Sequence, residues 1–167
     1  MPISKYLIVN TDGRGYDETE TVDVSAGAGD AGKILSLNSV GQVDESFLSG
    51  RDIVSTVASG AIPAGAFVNL FDNGGTMAAR LADKSNNRPA HGYTKTAVAD
   101  TEAVAVFSRD NNDQLSGLTP GGEYWLDTAG GVTDTPTNVS AELRQYLGIA
   151  IADDTIDVLI DPAIEMA

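Results

Sequence analysis

The sequence predicts an all-β protein, an antiparallel β-sandwich or barrel domain carrying an extended N-terminal β-arm. Three observations predict it. Apolar residues recur at period two or in short runs, and clusters of Gly, Pro, Asn and Asp separate those runs. Large apolar residues are sparse up to about residue 50 and denser afterwards, so the division falls into an arm, 1–50, and a body, 51–167.

Residues 3–9 read as a first strand, closed by Asn10-Thr11-Asp12-Gly13, where Asp-Gly is a strong turn dipeptide. Residues 19–24 alternate and read as a weaker strand, so the first is expected to stand isolated, its backbone donors seeking another sheet. A small-residue hinge follows at 25–32, then a strand at 33–38, a turn at Ser39-Val40-Gly41 and a return strand at 42–48. In the body, strands are expected at 53–58, 66–71, 76–82, 92–98, 103–108, 123–126, 144–152 and 155–160. The clearest hairpin joins the last two across Asp153-Asp154. A single helical turn is expected near 138–144, with Ser140 as its cap and Glu142 in its first turn.

The chain contains no cysteine, which removes disulfides and thiolate metal sites from consideration. With 24 acidic against 10 basic residues, the formal net charge of −14 repels phosphate backbones and anionic lipid, so neither nucleic acid nor membrane is an expected partner. The first residues carry one early lysine and an apolar run too short for a secretion signal, and no apolar stretch approaches a membrane span. The expectation is a soluble protein made in a cytoplasm.

Candidate chemical motifs are weak. Gly27-Ala28-Gly29-Asp30-Ala31-Gly32 spells a dinucleotide fingerprint, but a strand pattern follows it where a phosphate-binding helix is required, so it reads as a hinge. His91 is the one histidine, too few for a zinc site, and no G-x-S-x-G elbow accompanies it. Asp110-Asn111-Asn112-Asp113 and Asp153, Asp154, Asp157 and Asp161 offer oxygen ligands without calcium-loop spacing and read as solvated turn tips. Trp125, inside Glu123-Tyr124-Trp125-Leu126, reads as a core residue, which leaves few aromatics for a sugar-binding platform. The residues therefore point to no enzyme, no catalytic group, no cofactor and no metal.

Two stretches carry a family resemblance. The first runs through Gly29-Asp30-Ala31-Gly32-Lys33-Ile34-Leu35-Ser36-Leu37-Asn38 and Gly41-Gln42-Val43-Asp44-Glu45-Ser46-Phe47-Leu48. The second comprises Ser59-Gly60-Ala61-Ile62-Pro63-Ala64-Gly65, Arg80-Leu81-Ala82-Asp83, Pro89-Ala90-His91-Gly92-Tyr93, Leu118-Thr119-Pro120-Gly121-Gly122-Glu123-Tyr124-Trp125-Leu126, Gly130-Gly131-Val132-Thr133 and Tyr146-Leu147-Gly148-Ile149-Ala150. In this order they resemble the capsid decoration (cement) and head-fibre proteins of tailed bacteriophages, over residues 27–166. The resemblance implies a virion protein made in the host bacterial cytoplasm, bound to the outer capsid surface as a homotrimer, with the major capsid protein as partner. It also implies that the arm attaches to the shell or trimerises, by adding strands to an exposed sheet edge. On that view the capsid-binding residues are Ile3, Tyr6, Leu7, Ile8, Val9, Lys33, Ile34 and Leu35. Tail-fibre and head-fibre modules that bind a host receptor or glycan share the same segments and form the alternative.

Overall fold

The computed structural model describes residues 5–9, 16–21 and 53–167. The expected strands at 33–38 and 42–48, the hinge at 25–32 and the turn at 10–13 lie outside the described residues. The chain divides into two units, Met1–Arg51 and Asp52–Ala167.

In the first unit, β1 (Lys5–Val9) pairs antiparallel with β2 (Tyr16–Glu20), placing Tyr6 opposite Thr19, Leu7 opposite Glu18 and Val9 opposite Tyr16. The expectation of an isolated first strand is thereby corrected. The partner was hidden because Tyr16-Asp17-Glu18-Thr19-Glu20 is rich in residues depleted from strands. Pairing with an apolar neighbour outweighs that local preference.

The second unit is built mainly from strands, with two short 3-10 turns at Lys84–Asn86 and Thr128–Gly130. A closed five-stranded barrel runs in the order β3-β5-β4-β6-β7, from β3 (Ile53–Ala58), β4 (Phe67–Asp72), β5 (Met77–Leu81), β6 (Gly92–Tyr93) and β7 (Ala103–Phe107). Its pairs are antiparallel except β3 with β5, which meet in parallel only at Val57–Ala78 and Ala58–Ala79. The β4–β5 hairpin closes on Asp72, whose carboxylate accepts from the Gly75 amide (2.8 Å), while Gly74 and Gly75 take the positive φ that the turn demands. A second, five-stranded antiparallel sheet has the order β10-β9-β12-β13-β8. Its strands are β8 (Asn111–Asn112), β9 (Glu123–Leu126), β10 (Val132–Thr133), β12 (Tyr146–Ala150) and β13 (Ile156–Val158). β11 (Leu143–Arg144) pairs separately with β14 (Ile164–Glu165).

Residue size explains how the layers fit. The barrel interior is filled by small and β-branched side chains, including Ala58, Val68, Ala79, Val104 and Val106, which suits a barrel of only five strands. The larger residues of the same strands point the other way. Phe67 and Tyr93 leave the barrel wall and pack with Leu126, Leu147, Ile156 and Val158 of the second sheet. β4 is thus buried on both faces, with Phe67 and Val68 each fully enclosed. Phe67, Tyr93 and Phe107 stack in series, with ring centroids 6.0 and 5.8 Å apart. The Tyr93 hydroxyl donates to the Asn111 carbonyl (2.8 Å), which satisfies its polar end.

Several sequence expectations need correction. Residues 138–144 form no helix: Ala141 sits at φ 65°, the Glu142 amide donates to the Val139 carbonyl, and Leu143 and Arg144 join a ladder. A lone helical turn makes too few bonds to compete with strand pairing. The strand expected at 92–98 ends at Tyr93, because Thr94 turns back to donate its hydroxyl to the Pro63 carbonyl (3.0 Å). The strand expected at 144–152 is broken at Gln145, whose side chain turns inward. Asn111 and Asn112 are an edge strand and not a solvated turn tip. Asn112 is fully buried and donates to the Gly65 carbonyl (2.9 Å), tying the second sheet to the barrel.

Candidate functional site

Of the residues expected to bind a capsid, Tyr6, Leu7, Ile8 and Val9 all lie in β1. Ile3, Lys33, Ile34 and Leu35 lie outside the described residues. The β1–β2 sheet has two strands, so among the described residues each keeps one ladder edge without a partner strand.

In the second unit the outward face of the second sheet is the candidate interaction surface. Strand alternation builds it. In β9, Tyr124 and Leu126 point into the core, which turns Glu123 and Trp125 outward. In β13, Ile156 and Val158 point inward and Asp157 outward. β12 lies between them, with Ile149 opposite both Glu123 and Asp157. Trp125 is therefore half-buried on the outer face, which corrects its expected place in the core. It meets the cross-strand Tyr146 edge to face, at 5.8 Å and 70°. Ile149 (43 %) and Ile151 (54 %) extend the apolar surface toward the β12–β13 turn, and Leu159 (63 %) extends it at the open end of that hairpin. Carboxylates rim it: burial first, and then the charges of Glu123, Asp161 and Asp157, raise the Tyr146 pKa above its ordinary value. The alternation of Tyr124 and Leu126 with Trp125 was the sequence signal that could have located this face. Such a surface is suited to burial against a partner or to stacking on a flat ligand face.

The titratable groups elsewhere in the second unit hold local hydrogen bonds. His91 Nδ1 accepts from the Leu70 amide (2.9 Å), which places the ring proton on Nε2. Burial of the ring lowers the His91 pKa from its ordinary 6.5. Asp110 is held below 3.8, chiefly by the hydrogen bond from Lys95 (2.7 Å). At Asp83 burial acts upward, but hydrogen bonds from Ser85, the Ala129 amide and Asn86 outweigh it and lower the pKa. Among the described residues no three His, Asp or Glu side chains converge in a way that could hold a metal ion.

The lowered His91 pKa predicts a pH effect. The unfolded chain binds the proton near 6.5 and the fold only at lower pH. The stability given by the neutral ring is therefore fully present above 6.5 and is lost as pH falls from there through the folded pKa. The urea midpoint should fall between roughly pH 7 and 5. In His91→Asn, which keeps a polar side chain without a titration, that slope should vanish. Equal slopes in the two proteins would contradict the assignment. The carboxylates Asp83 and Asp110 act in a separate window below 3.8.

No family model matches the chain, and no curated protein matches it. Among solved structures the chain is similar to the head fiber gp8.5 N base of bacteriophage phi29, at a TM-score of 0.44 and 11 % identity, over 65 % of this chain and 92 % of that one.

Proposed function

We propose that the chain is a non-enzymatic structural protein of a tailed-bacteriophage virion, bound to the outer surface of the capsid as a homotrimeric decoration protein. One observation carries the reading. The segments that bear the family resemblance near 121–126, 130–133 and 146–150 are scattered in sequence, yet they form three adjacent strands, β10-β9-β12, of one sheet. Their outward side is the face of Trp125, Tyr146 and Ile149. These segments, separate in sequence, thus make up a single surface-bearing unit. A protein of this kind contributes binding energy to an assembled shell. Each bound copy stabilises the assembled state by mass action, and a small gain is multiplied over many copies. The β1 strand, with one ladder edge unpartnered among the described residues, suits attachment by strand addition to a sheet of the major capsid protein.

The test is a truncation that begins at Gly50. Among the described residues, the two buried cores of the second unit are made from residues after Asp52, so the truncated protein should fold and remain in solution. It should fail to co-sediment with bare capsids that bind the full chain. Equal capsid binding by both proteins would move the contact onto the second unit. Failure of the full chain to bind any capsid would remove the decoration reading. A second reading, a fibre module that binds a host receptor or glycan, is favoured by the half-exposed Trp125–Tyr146 pair with Glu123 and Asp157 on the same face. Recovery of the protein at the tail would select it.

A further inference from the structure

The outer wall of the barrel holds cationic groups that, among the described residues, form no ion pair. Asn69, buried on β4, is the hub: its Oδ1 accepts from Arg80 Nε (3.0 Å) and its Nδ2 donates to the Pro89 carbonyl (2.9 Å). Its Nδ2 also lies 3.5 Å from His91 Nδ1. Arg80 is fixed from a second side, with its guanidinium carbon 4.1 Å from the centre of the Phe71 ring. Arg88 precedes Pro89, and its charge is near enough to Arg80 to help burial lower the Arg80 pKa. The ion pairs formed between described residues use Lys84 and Lys95, and neither Arg80 nor Arg88 takes part in one. A chain with 24 acidic residues thus leaves these two guanidiniums, among the described residues, without a carboxylate.

We propose that Arg80, Arg88 and His91 form an anion-binding site on the barrel wall, built to receive a carboxylate. Asn69 occupies Arg80 Nε, which leaves the two terminal nitrogens of that guanidinium to meet both oxygens of a carboxylate. His91 Nδ1 is taken by the Leu70 amide, so its Nε2–H is left as a further donor beside them. The charges of Arg80 and Arg88 repel each other, and one anion bound near both relieves that repulsion. The site does not depend on the capsid assignment. Its carboxylate could come from a free acidic ligand or from an acidic side chain of a second copy of this chain.

The experiment is an NMR titration of the full chain with glucuronate, with glucose and matched sodium chloride as controls. The Leu70 amide and the Arg80 Nε–H should shift saturably with glucuronate alone. Arg80→Gln/Arg88→Gln should weaken that response by about tenfold or more, the loss expected for charge-assisted bonds. The resonances of Val104, inside the barrel, should stay in place and show that the variant is folded. Sedimentation of both proteins separates the two sources. An unchanged sedimenting mass with a lost titration assigns the site to a free acidic ligand. A lower mass for the variant assigns the carboxylate to a second copy. No saturable shift in the full chain, together with identical sedimentation of the variant, would overturn the proposal.

Discussion

Gly148→Ala should be the most damaging single-methyl substitution in the second unit. Gly148 lies in the middle of β12 at φ 151°, where the register of β12 against β9 shifts. A Cβ there would be driven into the Asp157 carbonyl oxygen of the neighbouring strand and to 2.8 Å from Ile156 Cγ2. Neither atom can yield cheaply, because one is backbone within a ladder and the other belongs to a fully buried side chain. Overpacking of this kind costs about 3 kcal/mol, and the positive φ adds about 1 kcal/mol. That sum is a large share of the stability of an ordinary domain. Gly74→Ala is the control. Gly74 has φ 68° but open space around it, so its cost should be only about 1 kcal/mol. Urea unfolding of both variants checks the difference, and equal costs would contradict the close approach at Gly148.

Gln145→Leu should come next. The Gln145 side chain accepts from the Ala90 amide (2.7 Å) and donates to the carbonyls of Ala90 (2.9 Å) and Asp161 (2.9 Å). It therefore pairs both backbone groups of a buried residue on the loop before β6 with the segment after β13. Leucine keeps the volume and removes every bond, leaving the Ala90 amide and carbonyl buried without partners. Each such group costs about 1–3 kcal/mol, so a loss of roughly 3 kcal/mol is expected. Hydrogen exchange at the Ala90 amide should accelerate more than at Val104. A loss under about 1 kcal/mol, with the Ala90 amide still protected, would show that water replaces the side chain.

These two positions mark the limit of what the sequence discloses. The strand Ala103–Phe107 was legible because Val104 and Val106 alternate with exposed alanines, and the β12–β13 hairpin because apolar runs flank Asp153-Asp154. Strand neighbours are a different matter. Nothing in the pattern of 53–58 says that β5 and not β4 lies beside it, since pairing order is decided by which faces must be buried. Polar residues with interior work are the hardest to read. Asn112 reads as part of a turn and Gln145 as one position of an unbroken strand, and only their tertiary partners make burial favourable. Trp125 was assigned by size to the core, although Tyr124 and Leu126 on either side already claimed the inward positions. The anion site was illegible for a related reason, as Arg80 and His91 are brought together by Asn69 on a third strand segment. Of the arm residues expected to bind a capsid, Tyr6 to Val9 form a strand as read, and the attachment role remains the proposal made above.

The central claim is tested most directly by counting this chain against the major capsid protein in purified particles of the phage that would, on this proposal, encode it, by quantitative mass spectrometry of the intact virion and of isolated heads. A trimeric decoration protein on the shell is expected in many copies, at a fixed ratio to the capsid protein, and retained on heads stripped of their tails. A handful of copies per virion that leave with the tail, or none in the particle at all, would contradict it.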